Sequence, residues 1–124
     1  MTKIPINATK EEVFENVKIL HKEIETIGET PERGSRLLHL IGRVRFLQGE
    51  FELSKEAFVN SNVVVANNNL PELHENYYWF ARIHEEKGDK ENAKLYFNIS
   101  LEFYNENPLY ISKEEIIKKI NSYN

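Results

Sequence analysis

A chain of 124 residues with 40% hydrophobic and 29% charged side chains has enough apolar material for one buried core but not for two, and is neither disordered nor membrane-embedded in character. Its 16 Lys and Arg against 20 Asp and Glu give a formal charge of -4. They form no basic run or one-sided basic stripe, so nucleic acid is not an expected partner. The absence of cysteine excludes disulfides, thiolate zinc sites and a cysteine nucleophile, and suits a reducing cytoplasm, the expected location.

The first residues carry no apolar stretch of signal-peptide type, and no window approaches a membrane span. Asn7-Ala8-Thr9 and Asn98-Ile99-Ser100 match the glycosylation pattern but read as chance matches in an Asn-rich chain. Thr9-Lys10-Glu11-Glu12 is a capping box that opens a helix over 9–27, with Val13, Val17, Leu20, Ile24 and Ile27 as its inner stripe and Gly28 as its stop. Thr30-Pro31-Glu32 starts a second helix, which runs to about Gln48. After the Gly49-Glu50-Phe51 turn, Leu53, Ala57, Phe58, Ser61 and Val65 mark the inner side of a third. The Val63-Val64-Val65 run belongs to this helix because it continues a helical stripe. Asn67-Asn68-Asn69-Leu70-Pro71 is a loop. A fourth helix is expected from Pro71 to about Lys87 and a fifth from Lys90 to about Asn105. The capping sequence Ser112-Lys113-Glu114-Glu115 opens a closing helix over 112–122 that lids the stack.

The middle of the chain repeats itself 39 residues apart: Leu38, Ile41, Gly42, Gly49, Ser54 and Phe58 are answered by Tyr77, Phe80, Ala81, Gly88, Ala93 and Phe97. Two helical stripes around a glycine turn make a hairpin that buries its apolar face on its neighbours. The expected fold is all-α: a short superhelical stack of about six helices in one domain over 1–124, with hairpins at 35–68 and 74–108 between flanking helices. These residues resemble the tetratricopeptide repeat, a helical hairpin of about 34 residues with small and large residues at set positions. The resemblance covers 35–108. Arg45 and His84 replace the usual tyrosine, and Pro71 and Pro108 arrive later than the family's proline.

The resemblance implies a protein- or peptide-binding role along a concave groove lined by the first helix of each hairpin. Carried onto this chain, that face holds Arg36, His39, Arg43 and Phe46, then Tyr78, Trp79, Arg82 and Glu85. Arg43 and Arg82 share one repeat position. Two guanidiniums stacked there can fork onto a partner's carboxylate or phosphate, or remain solvated and paired with Glu85 or Glu50. The family's clamp for chaperone tails is not reproduced, since His39 and Arg43 stand where its first lysine and asparagine would be. Tyr77-Tyr78-Trp79-Phe80 places four aromatics in a row, which one narrow helical stripe cannot bury.

His84-Glu85-Glu86-Lys87-Gly88 lacks the second histidine of a zinc-protease helix, and a site built from His39, His84 and a glutamate is the weaker alternative. The expectation is therefore a non-enzyme without metal or cofactor, acting as an adaptor, a chaperone or a regulator. Its partner would be an acidic or amphipathic protein segment. Self-association through an open end of so short a stack is also expected, and a purely structural self-assembling protein is the alternative.

Overall fold

The computed structural model describes residues 4–123. Among them are six α-helices and no strand: α1 (Lys10–Ile27), α2 (Pro31–Leu47), α3 (Phe51–Asn67), α4 (His74–Glu86), α5 (Lys90–Glu102) and α6 (Lys113–Asn121). Local chemistry sets most of the ends. Thr9 Oγ1 accepts the Glu12 N–H and Glu12 Oε1 accepts the Thr9 N–H, each at 3.1 Å. Thr30 caps α2 ahead of Pro31, Asp89 caps α5, and Ser112 caps α6. Gly49 and Gly88 turn the two hairpins at φ 78° and 77°, where a side chain would be strained.

The 39-residue repeat is also a repeat of contacts. Ser61 Oγ donates to the Ser35 carbonyl and Ser100 Oγ to the His74 carbonyl, both at 2.7 Å, pinning α3 to α2 and α5 to α4 in the same way. In the first hairpin Ser54 Oγ also donates to the Gly42 carbonyl, and a Cβ on Gly42 would meet the Phe58 ring at 2.7 Å. The small residue at this position lets the helices close.

Several boundaries and faces differ from the sequence reading. α4 starts at His74, not Pro71, because residues 71–73 stay outside the helix and Leu73, in extended backbone, is buried before it begins. α5 ends at Glu102 rather than Asn105, whose side-chain amide instead donates to the Glu72 and Phe103 carbonyls. Ile27 and Leu53, expected on inner faces, are 60% and 45% exposed. Leu53 lies one 100° step from Ser54, which occupies the contact with α2.

α1 packs on α2 and α6 on α5, flanking the hairpins. Two apolar clusters result. One joins Ile4, Ala8, Val13, Leu20, Leu40, Val65, Leu73 and Leu109; the other gathers the α4 and α5 aromatics with Phe46, Phe58, Ile111 and Ile116. The chain's early residues and the loop after α5 thus enter the same core as the hairpins.

Candidate functional site

α2 and α4 bring Arg43, Phe46, Tyr78 and Arg82, of the expected groove residues, around Trp79. The Arg43 guanidinium lies 4.7 Å from the centre of the indole and that of Arg82 5.5 Å, while Phe46 meets the ring edge-on at 5.2 Å. Arg82 also lies 5.4 Å from the Phe46 ring. Two cations at equivalent repeat positions therefore share one aromatic surface, an arrangement worth more when desolvated than in water.

The surroundings are not those of an open groove. His39, Arg43, Phe46, Tyr78 and Trp79 are all buried; Arg82 and Glu85 keep about a fifth of their side-chain surface, at 22% and 21%. Residues 4–8 cover Arg43, whose Nη2 donates to the Pro5 carbonyl at 2.7 Å. The loop over 105–112 covers Glu75. α6 closes the far side, where Lys119 Nζ reaches Glu85 at 3.1 Å and the Tyr123 hydroxyl donates to the same carboxylate. All four consecutive aromatics are packed, because α4 has α5, α3, α2 and this cover around it.

Burial leaves Arg43 short of partners: its Nε and Nη1 have no acceptor, and neither does Trp79 Nε1. Desolvation draws the Arg43 guanidinium down to about 10, so it remains a cation at neutral pH. Glu75, on α4 at the position repeating Arg36, is fully buried. Its carboxylate accepts from Asn107 Nδ2 at 2.9 Å and the Ile111 N–H at 3.4 Å, but desolvation prevails and pushes it up to about 7.

Beside this pair, Asn76 Oδ1 accepts from His39 Nδ1 at 2.7 Å while its amide donates to Ser61 Oγ and Asn62 Oδ1. Since Asn76 Oδ1 only accepts, the His39 proton sits on Nδ1. Burial and the nearby Arg43 charge depress this imidazole to about 3, so it is neutral. His74 Nε2 donates to the Ile111 carbonyl at 2.8 Å, and desolvation lowers its basicity too.

Arg36 stands apart. Its Nε donates to the Glu32 carbonyl, and it lines a separate cleft of about 290 Å³ with Val65, Pro71 and Pro108. His39 and His84 are not brought together: His84 stacks on Tyr96 at 5.3 Å and faces Asp89 at 3.4 Å. Among the described residues, no three His, Asp or Glu side chains are grouped to hold a metal. The sequence reading did not single out Pro5, Glu75 or Asn76 as functional. The one available signal was that Glu75 and Asn76 are polar residues just ahead of an otherwise apolar stripe.

Residues 74–107, the second hairpin, match the Tetratricopeptide repeat family. No curated protein and no solved structure matches the chain. Repeats of this family are in general protein-interaction units and not catalytic ones. No helix among the described residues is long and apolar enough to cross a membrane. With one hairpin matched and the other repeating its spacing, its glycine turn and its serine-to-carbonyl tie, the chain is a tetratricopeptide-repeat-like helical protein.

Proposed function

We propose that the chain is a non-enzymatic binding protein that holds a segment of another protein along the α2/α4 face, in an adaptor, chaperone-like or regulatory role. The observation that carries this reading is the Arg43–Trp79–Arg82 stack, in which a buried guanidinium keeps two nitrogens without acceptors. Structural groups are seldom left in that condition, because an unpaired buried donor forfeits its hydration. A carboxylate-bearing segment supplies the missing acceptors with charge-assisted bonds.

The test is affinity capture with the intact protein and with an Arg43→Lys/Arg82→Gln variant, whose helicity is compared by circular dichroism. Lysine keeps the charge at position 43 but cannot fork. A partner lost by a still-helical variant supports the reading, and an unchanged partner set refutes it. The second reading, a self-assembling structural protein, has in its favour Val59 and Val63, one helical turn apart on α3 and 43% and 49% exposed. It requires concentration-dependent association through that face in purified protein.

A further inference from the structure

We infer that residues 4–8 are a built-in occupant of the α2/α4 face, and that the partner is an aliphatic, proline-containing segment with a carboxylate that displaces them and pairs with Arg43. The inference rests on the groove reading above and adds a competitor and a partner chemistry to it.

The arm itself shows what this face accepts. Ile4 and Ala8 are buried in the cluster with Leu40 and Leu109, Ile6 packs against the aromatic cluster, and the Pro5 carbonyl bonds Arg43. Pro5 and Asn7 face outward, so the arm is held by alternate aliphatic side chains and one carbonyl, much as a bound peptide is. It is nonetheless an incomplete ligand. Ile-Pro-Ile-Asn-Ala has no carboxylate, and with it in place Arg43 Nε and Nη1 stay unpartnered at 0% exposure. Glu75, the acidic neighbour on α4, is engaged by Asn107 and Ile111. The arm can also leave without unravelling α1, because the Thr9–Glu12 capping box lies beyond it. A tethered arm competes at a high effective concentration, so a displacing partner needs bonds that the arm does not make.

Trp79, the chain's sole tryptophan, carries the Arg43 guanidinium that the Pro5 carbonyl bonds, and so reports on the arm through that residue. Two synthetic peptides would be titrated, one with the sequence of residues 3–9 and one with the Ile6→Asp change, which puts a carboxylate on the arm's inward side. The hosts would be the intact chain and an Ile4→Ser/Ile6→Ser variant. The variant should stay helical with red-shifted Trp79 emission, bind the acidic peptide about tenfold or more tighter than the intact chain does, and regain blue emission. In the intact chain, saturation with the acidic peptide should move the amide resonances of Ile6, Asn7 and Ala8 to free-chain positions.

Unshifted emission in a helical variant overturns the inference. Equal affinity of the two hosts overturns the competitor while leaving the groove reading standing. Exposed Trp79 with neither peptide bound means the arm is only a cover, and the groove reading falls with the partner chemistry. If the variant loses its helices, the intact chain decides: arm resonances that stay in place up to millimolar peptide overturn the proposal.

Discussion

A missing side chain sets the spacing of the first hairpin. An added methyl on Gly42 would press on the ring of Phe58, which is itself fully buried between His39 and Phe80. Alanine is the better helix former by about 1 kcal/mol, but forcing a methyl into a packed core costs about 1–3 kcal/mol. The steric effect prevails here because the ring has nowhere to go, so Gly42→Ala should lower stability by about 1 kcal/mol in urea unfolding. Gly34→Ala meets its nearest atom at 3.6 Å, an ordinary contact, and should raise stability by about 0.5–1 kcal/mol. Equal signs for the two variants would contradict this packing argument. Glu75 makes stability depend on pH. Its pKa rises from 4.5 unfolded to about 7 folded, so its contribution is fully present below pH 4.5 and is lost as pH climbs through 7. His39 works the other way: its folded value falls to about 3, and its contribution, present above 6.5, is lost as pH drops toward 3. His74, 3.2 Å from Glu75, is depressed too, and Arg43 stays charged throughout. Glu75→Gln removes only the first effect. Relative to the variant, the native chain should therefore lose about 2–3 kcal/mol between pH 5 and pH 8, measured by denaturant unfolding at each pH; a flat difference would refute the burial of a protonatable Glu75.

Among the helices, Asn76 connects both hairpins by bonding His39 on α2 and Ser61 and Asn62 on α3 from its place on α4. Replacing it with alanine strands the His39 Nδ1–H at 0% exposure, and a buried donor without a partner costs about 1–3 kcal/mol. Asn76→Ala should thus destabilise by about 2 kcal/mol, and the His39→Ala/Asn76→Ala double variant by at least about 0.5 kcal/mol less than the sum of the singles. Strict additivity would show that the network does not couple the hairpins. Such ties are hard to read from sequence because they join residues 15 and 37 apart. The helices themselves were readable because their signals are local: Thr9, Thr30 and Ser112 cap, Gly28, Gly49 and Gly88 stop or turn, and the small and large residues recur with the repeat. The sequence reading failed where tertiary burial overrode a local signal. Pro71 looks like a helix start, yet Leu73 is needed in the core in extended form, so the helix waits for His74.

At the scale of the whole molecule, the resemblance to the tetratricopeptide repeat pointed to the α2/α4 face, and the 39-residue spacing put Arg43 and Arg82 at equivalent positions on it. What covers that face comes from residues 4–8 and 105–112, which have no periodicity and meet only after the chain has folded back on itself. A short stack normally opens from its ends, each hairpin being held by its neighbours alone. Here Ile4 shares a cluster with Leu109, and Ile6 shares the other with Ile111 and Ile116, so both ends are bound into the middle. Closure of this kind should merge the opening of the ends with the opening of the centre. Trp79 emission reports the centre and far-ultraviolet circular dichroism the helices as a whole, and the two melting curves should coincide. Leu109→Ala, at a fully buried position where the two ends meet, should lower stability by about 2–4 kcal/mol and leave the curves coincident. Leu95→Ala, 51% exposed on α5, should change it by less than about 0.5 kcal/mol. If Leu109→Ala instead produced an early loss of helix while the Trp79 transition stayed in place, the ends would be fraying independently, and the chain would behave as an open stack with loosely attached flanks.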